Sequence, residues 1–244
     1  MTRPPLQYRS TYTSNAAQDQ FMVPLLNEKI EQALNVYGAL KGPNPKALDI
    51  GCGGQPFRNK IESMGFKYFG LDNRQNIDVQ CDLIADFDQP FAPAIKNAGP
   101  FQLILCTEVL EHILDWRVAF SNLREVTVQG SRVVITCPFF FMLHEAPFDY
   151  WRPTIFALKQ FAANNNFKVL QAESAGNAWD VLGTLIGATR PIAANKRWKA
   201  KLAAKVARQV RKLTLTFLRS RWLQKLVDPN TDIYLANIVV LEKI

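Results

Sequence analysis

Both histidines of the chain stand among carboxylates: His112 follows Glu108 and Glu111 in TEVLEH, and His144 precedes Glu145 and Asp149 in HEAPFD. A neutral imidazole, with a pKa near ~6.5, can take the proton from a substrate hydroxyl or orient it. The same side chains have a second use. Glu108, Glu111, His112 and His144 together are a donor set for a divalent cation that binds hydroxyls directly. The reading adopted is His112 and His144 as base and orienter, with Glu111 beside them and no metal; the cation is the alternative. Phe139, Phe140 and Phe141 precede His144, and Tyr150, Trp151 and Arg152 follow it. Aromatic faces with a few placed polar groups make a substrate wall. Thr154 can also cap a helix from Ile155 to Ala163, and the phenylalanines can be plain core.

A second constellation lies upstream, in ALDIGCGGQ from Ala47 to Gln55. Ala47, Leu48, Asp49 and Ile50 fit a short buried strand running into Gly51, Cys52, Gly53 and Gly54, with Pro56 suited to the first turn of a helix. A strand that ends in a glycine turn lets a ligand approach bare backbone and the positive end of a helix. About twenty residues on, Tyr68 to Leu71 reads as a second strand ending at Asp72, where a carboxylate can accept both hydroxyls of a ribose, with Asn73 next to it. The spacing G-x-G-G-Q is not the dinucleotide fingerprint. Asp49, two residues before the first glycine, would repel a pyrophosphate but could hold an ammonium. S-adenosylmethionine carries a ribose, an adenine and a charged amino-acid end, and no phosphate.

On these residues the chain resembles the class I S-adenosylmethionine-dependent methyltransferases, whose first motif is an acid, any residue, then Gly-x-Gly-x-Gly. The third glycine is Gln55 here. The resemblance runs from about Leu48 to Thr154, with a last strand near the C-terminus. It implies a Rossmann-like, doubly wound α/β fold with a mostly parallel seven-stranded sheet. It also implies that Gly51, Cys52 and Gly53 line S-adenosylmethionine, that Asp82 and the adjacent Leu83 meet its adenine, and that Glu108 stands near its methionine moiety. The set Glu108, Glu111, His112 and His144 is similar to the E-x-x-E-H arrangement of metal-using ubiquinone-pathway O-methyltransferases and small-RNA 2′-O-methyltransferases. The text P-F-x-x-x-x-H-E-x-P-x-D-Y-W-R-x-T resembles a loop of bacterial methyltransferases, several associated with surface saccharides. The expected activity is O-methylation of a saccharide, lipid-linked or other small-molecule hydroxyl. The rivals are an RNA 2′-O-methyltransferase, a nicotinamide dehydrogenase and a non-catalytic adenosyl-binding or membrane-surface protein.

These residues must be positioned by strands alternating with helices. Phe101 to Cys106 is a nearly continuous apolar run, read as a central strand buried on both faces. Trp116 to Val128 has helical spacing that Gly130 ends, and Arg132 to Cys137 is the next strand. Such alternation gives a mostly parallel sheet with its site at the carboxyl ends of the strands, where Glu108, Glu111 and His112 fall. Apolar residues from Gln18 to Leu40 predict a helix that could cross the cofactor mouth or pack on the sheet; Tyr8 and Tyr12 before it could close over substrate. The expected divisions are a cap region over 1–46, a core over 47–180, an insertion over 181–227 and the last strand in 228–244.

The 244 residues, 48% hydrophobic and 20% charged, suffice for one good-sized core. Four cysteines with no C-x-x-C pair are expected to be reduced thiols. The polar N-terminus lacks the apolar core of a secretory signal, and the expected location is cytoplasmic, or peripheral on the inner face of a membrane. The net charge of +8 is local: 181–227 holds twelve of the 29 basic residues and none of the 21 acids, which leaves the rest at about −4. There Trp198, Leu202, Val206, Val210, Leu213 and Phe217 make one helical face with basic residues on its flank. Such a segment can lie on an anionic membrane, dock on nucleic-acid phosphates, or form a lid or dimer surface. The membrane is preferred over nucleic acid because tryptophans stand among the basic residues.

Overall fold

The computed structural model describes residues 13–39, 42–77, 79–229 and 232–244. Tyr8 and Tyr12 lie outside them. A single seven-stranded sheet organises the chain, built from β1 (Lys46–Ile50), β2 (Lys67–Asp72), β3 (Leu83–Ile84), β4 (Phe101–Thr107), β5 (Thr127–Pro138), β6 (Phe167–Ala175) and β7 (Ala236–Lys243). The order is β3-β2-β1-β4-β5-β7-β6, and β7 alone runs antiparallel to its neighbours. This is the doubly wound arrangement expected, with the order reversing between β1 and β4, where such sheets open a crevice.

Alternation along the central strands sorts the core into two layers. Leu48, Ile50, Ile104, Cys106, Val133 and Ile135 face one side. There α4 (Trp116–Val126) and α5 (Ile155–Ala163) cover them with Trp116, Phe120, Leu123 and Leu158. Each such buried side chain is worth roughly 1.5–3 kcal/mol. Ala47, Leu103, Leu105, Val134, Ile238 and Val240 face the other side, under Leu26, Ile30 and Leu34 of α1 (Met22–Tyr37). Helix α1 therefore packs across β5, β6 and β7 and does not close the cofactor mouth. The remaining helices are α2 (Arg58–Ser63), α3 (Pro93–Ala98), α6 (Ala178–Ala188), α7 (Trp198–Arg219) and α8 (Trp222–Leu226).

Local chemistry sets the boundaries. Asp115 caps α4 by accepting from the Arg117 amide (3.0 Å), and Thr154 caps α5 at the predicted residue. Helix α4 ends at Val126, earlier than the glycine rule predicts, because Thr127 already pairs with Phe101 as the first residue of β5. Gly130, with φ +83°, then sits inside the strand where the register slips, so it shapes a bulge and stops no helix. The expected boundary between core and insertion falls inside α6, which begins at Ala178 behind a capping box of Asn177 and Asp180. Among the described residues no helix is long and apolar enough to cross a membrane.

Candidate active site

The glycine loop leaves β1 under tight steric control. Gly51 has φ +68°, and a Cβ there would come within 2.3 Å of Val109 Cγ2, so only glycine fits. The amides of Gly51 and Cys52 donate to the Leu71 carbonyl (2.8 and 3.1 Å), and the Gly53 amide donates to Asp72 Oδ2 (3.1 Å). Gln55 stands where the family pattern has its third glycine and keeps a left-handed backbone, φ +56°. Its buried side chain compensates, donating to the Gln80 carbonyl (2.9 Å) and accepting from Arg58 (2.8 Å).

Between this loop, the end of β2 and the end of β4 opens a cleft lined by Gly51, Asp72, Asn73, Asp86, Phe87, Glu108, Val109, His112 and Glu145, among others. Asn73 Oδ1 is buried here without a hydrogen-bond partner, an acceptor waiting for a donor. Asp49 lies beneath, 2% exposed, accepting from the Tyr68 hydroxyl (2.7 Å). Burial pushes its carboxyl up to about 7, against the lowering effect of the Tyr68 bond, and the Asp72 charge adds to the rise. A cation arriving near it would relieve that stress.

Beyond the cleft stand two acids and two imidazoles. Glu108, φ +54°, turns its carboxylate onto the Thr136 hydroxyl (2.9 Å), and burial lifts its pKa to about 7. Glu111 is fully buried in the turn Leu110–His112. Burial, with Glu108 nearby, pushes its carboxyl well above the usual range. Its Oε1 has no hydrogen-bond partner and faces His112 Nε2 at 3.7 Å and His144 Nε2 at 3.8 Å. His112 Nδ1 sits 2.8 Å from the Phe148 carbonyl, which can only accept, so in the neutral ring the hydrogen is on Nδ1. His144 Nδ1 is 3.3 Å from both the Met142 carbonyl and Asp149 Oδ2, and because Arg152 Nη2, 3.5 Å away, gives its two hydrogens to those same acceptors, the neutral ring again carries its hydrogen on Nδ1. Two imidazole lone pairs and one unpaired carboxyl oxygen thus converge, with the only hydrogen available among them the one that burial favours on Glu111. The geometry gathers Glu111, His112 and His144 within 4.8 Å as a possible cation site, whereas Glu108 is not of that group.

A family profile described as a methyltransferase domain matches residues 22–172. Solved structures with the same fold include an S-adenosylmethionine-dependent methyltransferase from Archaeoglobus fulgidus, at TM-score 0.52 and 16% identity over 88% of this chain and 94% of that one. The chain belongs to the class I S-adenosylmethionine-dependent methyltransferases. A cyclopropane synthase from Mycobacterium tuberculosis shares the methyltransferase's fold at TM-score 0.52 and 16% identity over 99% of both chains. Among curated relatives, the ubiquinone biosynthesis O-methyltransferase of Bartonella tribocorum is 40% identical over 80 residues, 30% of this chain and 32% of that protein. That of Caulobacter vibrioides is 33% identical over 99 residues, 35% of this chain and 39% of its own. The methyltransferase thus matches about a third of the length of these relatives.

Several expected site residues have other tasks in this methyltransferase. Strand β3 is Leu83–Ile84, paired with Leu71 and Asp72, so its carboxyl end presents Asp86. Asp82 precedes the strand and accepts from the Gly70 amide (2.8 Å), away from the cleft, and Leu83 packs on the core. Asp86 and Phe87 line the cleft in their place, held because buried Asn122 donates to the Phe87 and Gln89 carbonyls (3.0 and 2.8 Å). Counting from Asp72, which pairs with Ile84, would have found them. Cys52 is buried with its thiol 3.7 Å from Cys81, and burial pushes it up; all four cysteines are free thiols. The loop expected to form a substrate wall is a fastened one. Arg152 donates to both oxygens of Asp149 (2.6 and 2.7 Å) and to the Met142 carbonyl (3.0 Å), and Trp151 donates to the Ile113 carbonyl (2.9 Å). Asp149 also accepts from the His144 amide (2.9 Å) and so holds it in place, while Tyr150 and Trp151 both stay exposed.

Proposed function

We propose that this methyltransferase methylates a hydroxyl oxygen of a small saccharide or lipid-linked acceptor, with His144 and His112 preparing the hydroxyl. The observation that carries the reading is the convergence of Glu111 Oε1 and two imidazole Nε2 atoms beside the cofactor cleft. An amine can attack a sulfonium through its own lone pair, but a hydroxyl gains from a base, and a buried pair of proton acceptors provides one. His144 is the more open of the two, with 29% of its side chain exposed against 10% for His112, so it meets the acceptor first. Its Nε2 takes the hydroxyl proton. Asp149, held below the usual carboxylate range by its Arg152 bonds against the effect of burial, fixes the tautomer from the Nδ1 side. Burial lowers the pKa of His112, which keeps it an uncharged acceptor that orients the hydroxyl. Glu111 stabilises the imidazolium when it forms.

S-adenosylmethionine, when bound, supplies an electrophilic methyl group. The chain's own part is to hold its ends: Asp72 and Asn73 the ribose hydroxyls, Asp86 the adenine amino group, Asp49 the ammonium, and Gly51 the close approach. Alignment of a nucleophile with an activated group is worth on the order of 7–11 kcal/mol. The orphaned Glu111 Oε1 also fits a divalent cation, which Glu111, His112 and His144 would hold and which would acidify an acceptor hydroxyl. That the relatives from Bartonella and Caulobacter are O-methyltransferases supports oxygen as the nucleophile.

The test is methyl transfer from isotope-labelled S-adenosylmethionine to pooled acceptors (nucleotide sugars, polyprenyl-linked sugars and phenols), with and without a chelator. His144→Ala and His112→Ala should each lose turnover while S-adenosylhomocysteine affinity is kept. Full turnover in both variants, or transfer to amines alone, refutes the assignment. Loss of turnover on chelation moves the deprotonating role to a cation.

A further inference from the structure

Helix α7 carries far more apolar surface than it buries. Ala204, Leu215 and Leu218 are its buried residues, and the latter two join the core layer under α1. Trp198 and Leu213 are each 69% exposed, and Leu202, Val206, Val210 and Phe217 are exposed as well. Trp222 and Leu226 of α8 extend the series. At a rise of about 1.5 Å per residue this is a stripe on the order of 30 Å long, much larger than scattered surface leucines require. An open apolar groove of about 740 Å³ runs along it between α7 and the end of α6, reaching Ile186 and Pro191.

The charge around this stripe is of one sign. At the helical period Lys201, Lys205, Arg208 and Lys212 fall between the buried seam and the exposed apolar face, and all four are exposed. Arg211 is drawn inward, donating to the Ile186 and Gly187 carbonyls at the end of α6, and Arg208 reaches the Pro191 carbonyl (3.1 Å) while staying exposed. No acid occurs between 181 and 227 to neutralise them. A second copy of the chain would set like charge against like charge. Nucleic acid would leave the apolar stripe uncovered. A surface with anions at its face and hydrocarbon beneath satisfies both halves at once.

The position in the fold gives the face a use. Pro138 pairs with Ala236 and Ala236 with Ala175, so the insertion leaves and rejoins the sheet at the rim that holds the active site. The amides of Phe139 and Phe140 donate to the Leu235 carbonyl (2.8 and 2.9 Å), and Phe139 stacks on Tyr234 with ring centroids 4.3 Å apart. The wall before His144 and the segment that leads from the insertion back into β7 are one piece of structure.

We propose that the exposed face of α7 and α8 docks this enzyme on an anionic lipid bilayer, with Trp198, Leu213 and Trp222 entering the headgroup layer and Lys201, Lys205 and Lys212 meeting lipid phosphates. The proposal does not rest on the identity of the acceptor. The test is co-sedimentation of the full chain with phosphatidylcholine vesicles, with and without phosphatidylglycerol. The variants are the pair Trp198→Ser/Leu213→Ser and the triple Lys201→Glu/Lys205→Glu/Lys212→Glu. The wild type should pellet with the anionic vesicles only and be released by salt, and each variant should partition at least about tenfold less, since each basic residue near such a surface contributes appreciably. Unchanged S-adenosylhomocysteine affinity in the variants shows that they remain folded. A wild type that stays in the supernatant, or variants that pellet as it does, overturns the proposal. So does a preference for single-stranded RNA over vesicles in competition, or a sedimenting dimer that Trp198→Ser/Leu213→Ser dissociates.

Discussion

Replacing Asp49 by asparagine should make the empty enzyme more stable and the cofactor weaker, and the size of the first effect follows from burial. The carboxyl rises from 3.8 to about 7 on folding. At ~1.36 kcal/mol per pH unit, that gap is an unfavourable contribution of about 4 kcal/mol once the group is ionised. Below pH 3.8 both states are protonated and the contribution vanishes. It grows as pH rises through the gap, because the folded state then binds more protons than the unfolded one, and it is complete above 7. Asparagine removes it, keeps the Tyr68 hydrogen bond through its carbonyl, and adds an amide that lacks an acceptor, at roughly 1–3 kcal/mol. The net gain at pH 8 is therefore about 1–3 kcal/mol. The part free of the amide term is its pH dependence: the variant's advantage should grow by roughly 2–3 kcal/mol between pH 5 and pH 8. Urea denaturation of both proteins without cofactor at the two pH values measures it. Calorimetric titration should show S-adenosylmethionine and S-adenosylhomocysteine weakened alike, by on the order of ten- to a hundredfold, since both carry the ammonium and a charge-assisted bond is lost. An advantage that does not change with pH refutes the buried-charge argument. Undiminished binding refutes the placement of the ammonium.

Gly51→Ala should abolish cofactor binding, because the new Cβ meets Val109 at 2.3 Å and the backbone stays left-handed; adding Val109→Ala relieves the clash alone, and titration should show only partial recovery. Asp86→Ala should lower cofactor affinity about tenfold, whereas Asp82→Ala should leave affinity unchanged and cost about 1 kcal/mol in urea denaturation for the lost Gly70 bond. Arg152→Met leaves the Asp149 carboxylate, whose side chain is 1% exposed, without its guanidinium. A loss of about 2 kcal/mol is expected, below the buried-pair range of ~3–5 because Arg152 is part-exposed, with turnover falling more than cofactor affinity.

The sheet could be read from the chain because its central strands carry dense local signals. Phe101 to Cys106 is apolar throughout since both faces are covered, and the glycine loop shows where β1 must end. Thr154 announced α5 through its hydroxyl. Strand β3 could not be read the same way, because two residues have no periodicity, so the sequence pointed to Asp82, which accepts from the Gly70 amide, and passed over Asp86, which lines the cleft. Gly130 misled for a different reason: glycine stops helices and bends strands with equal ease, and the pairing of Thr127 with Phe101 that decides between them lies across the sheet. His112 and His144 could be named from the sequence as partners. What it could not supply was the unpartnered oxygen of Glu111 between them, or that Trp151 and Arg152 spend their donors on the backbone carbonyls of Ile113 and Met142 and on the Asp149 carboxylate. Such assignments depend on which atoms meet after the chain has folded back.

The pairing of Ala175 with Ala236 has an evolutionary consequence. The segment between them departs and returns at neighbouring strands, whose backbones lie about 4.8 Å apart in any sheet. Material of almost any length can be exchanged at such a junction without disturbing a single ladder bond, while every residue assigned to the methyl donor lies earlier in the chain. Descendants of this scaffold can thus acquire new surfaces and new acceptors by trading one cassette, and keep the donor chemistry they inherited.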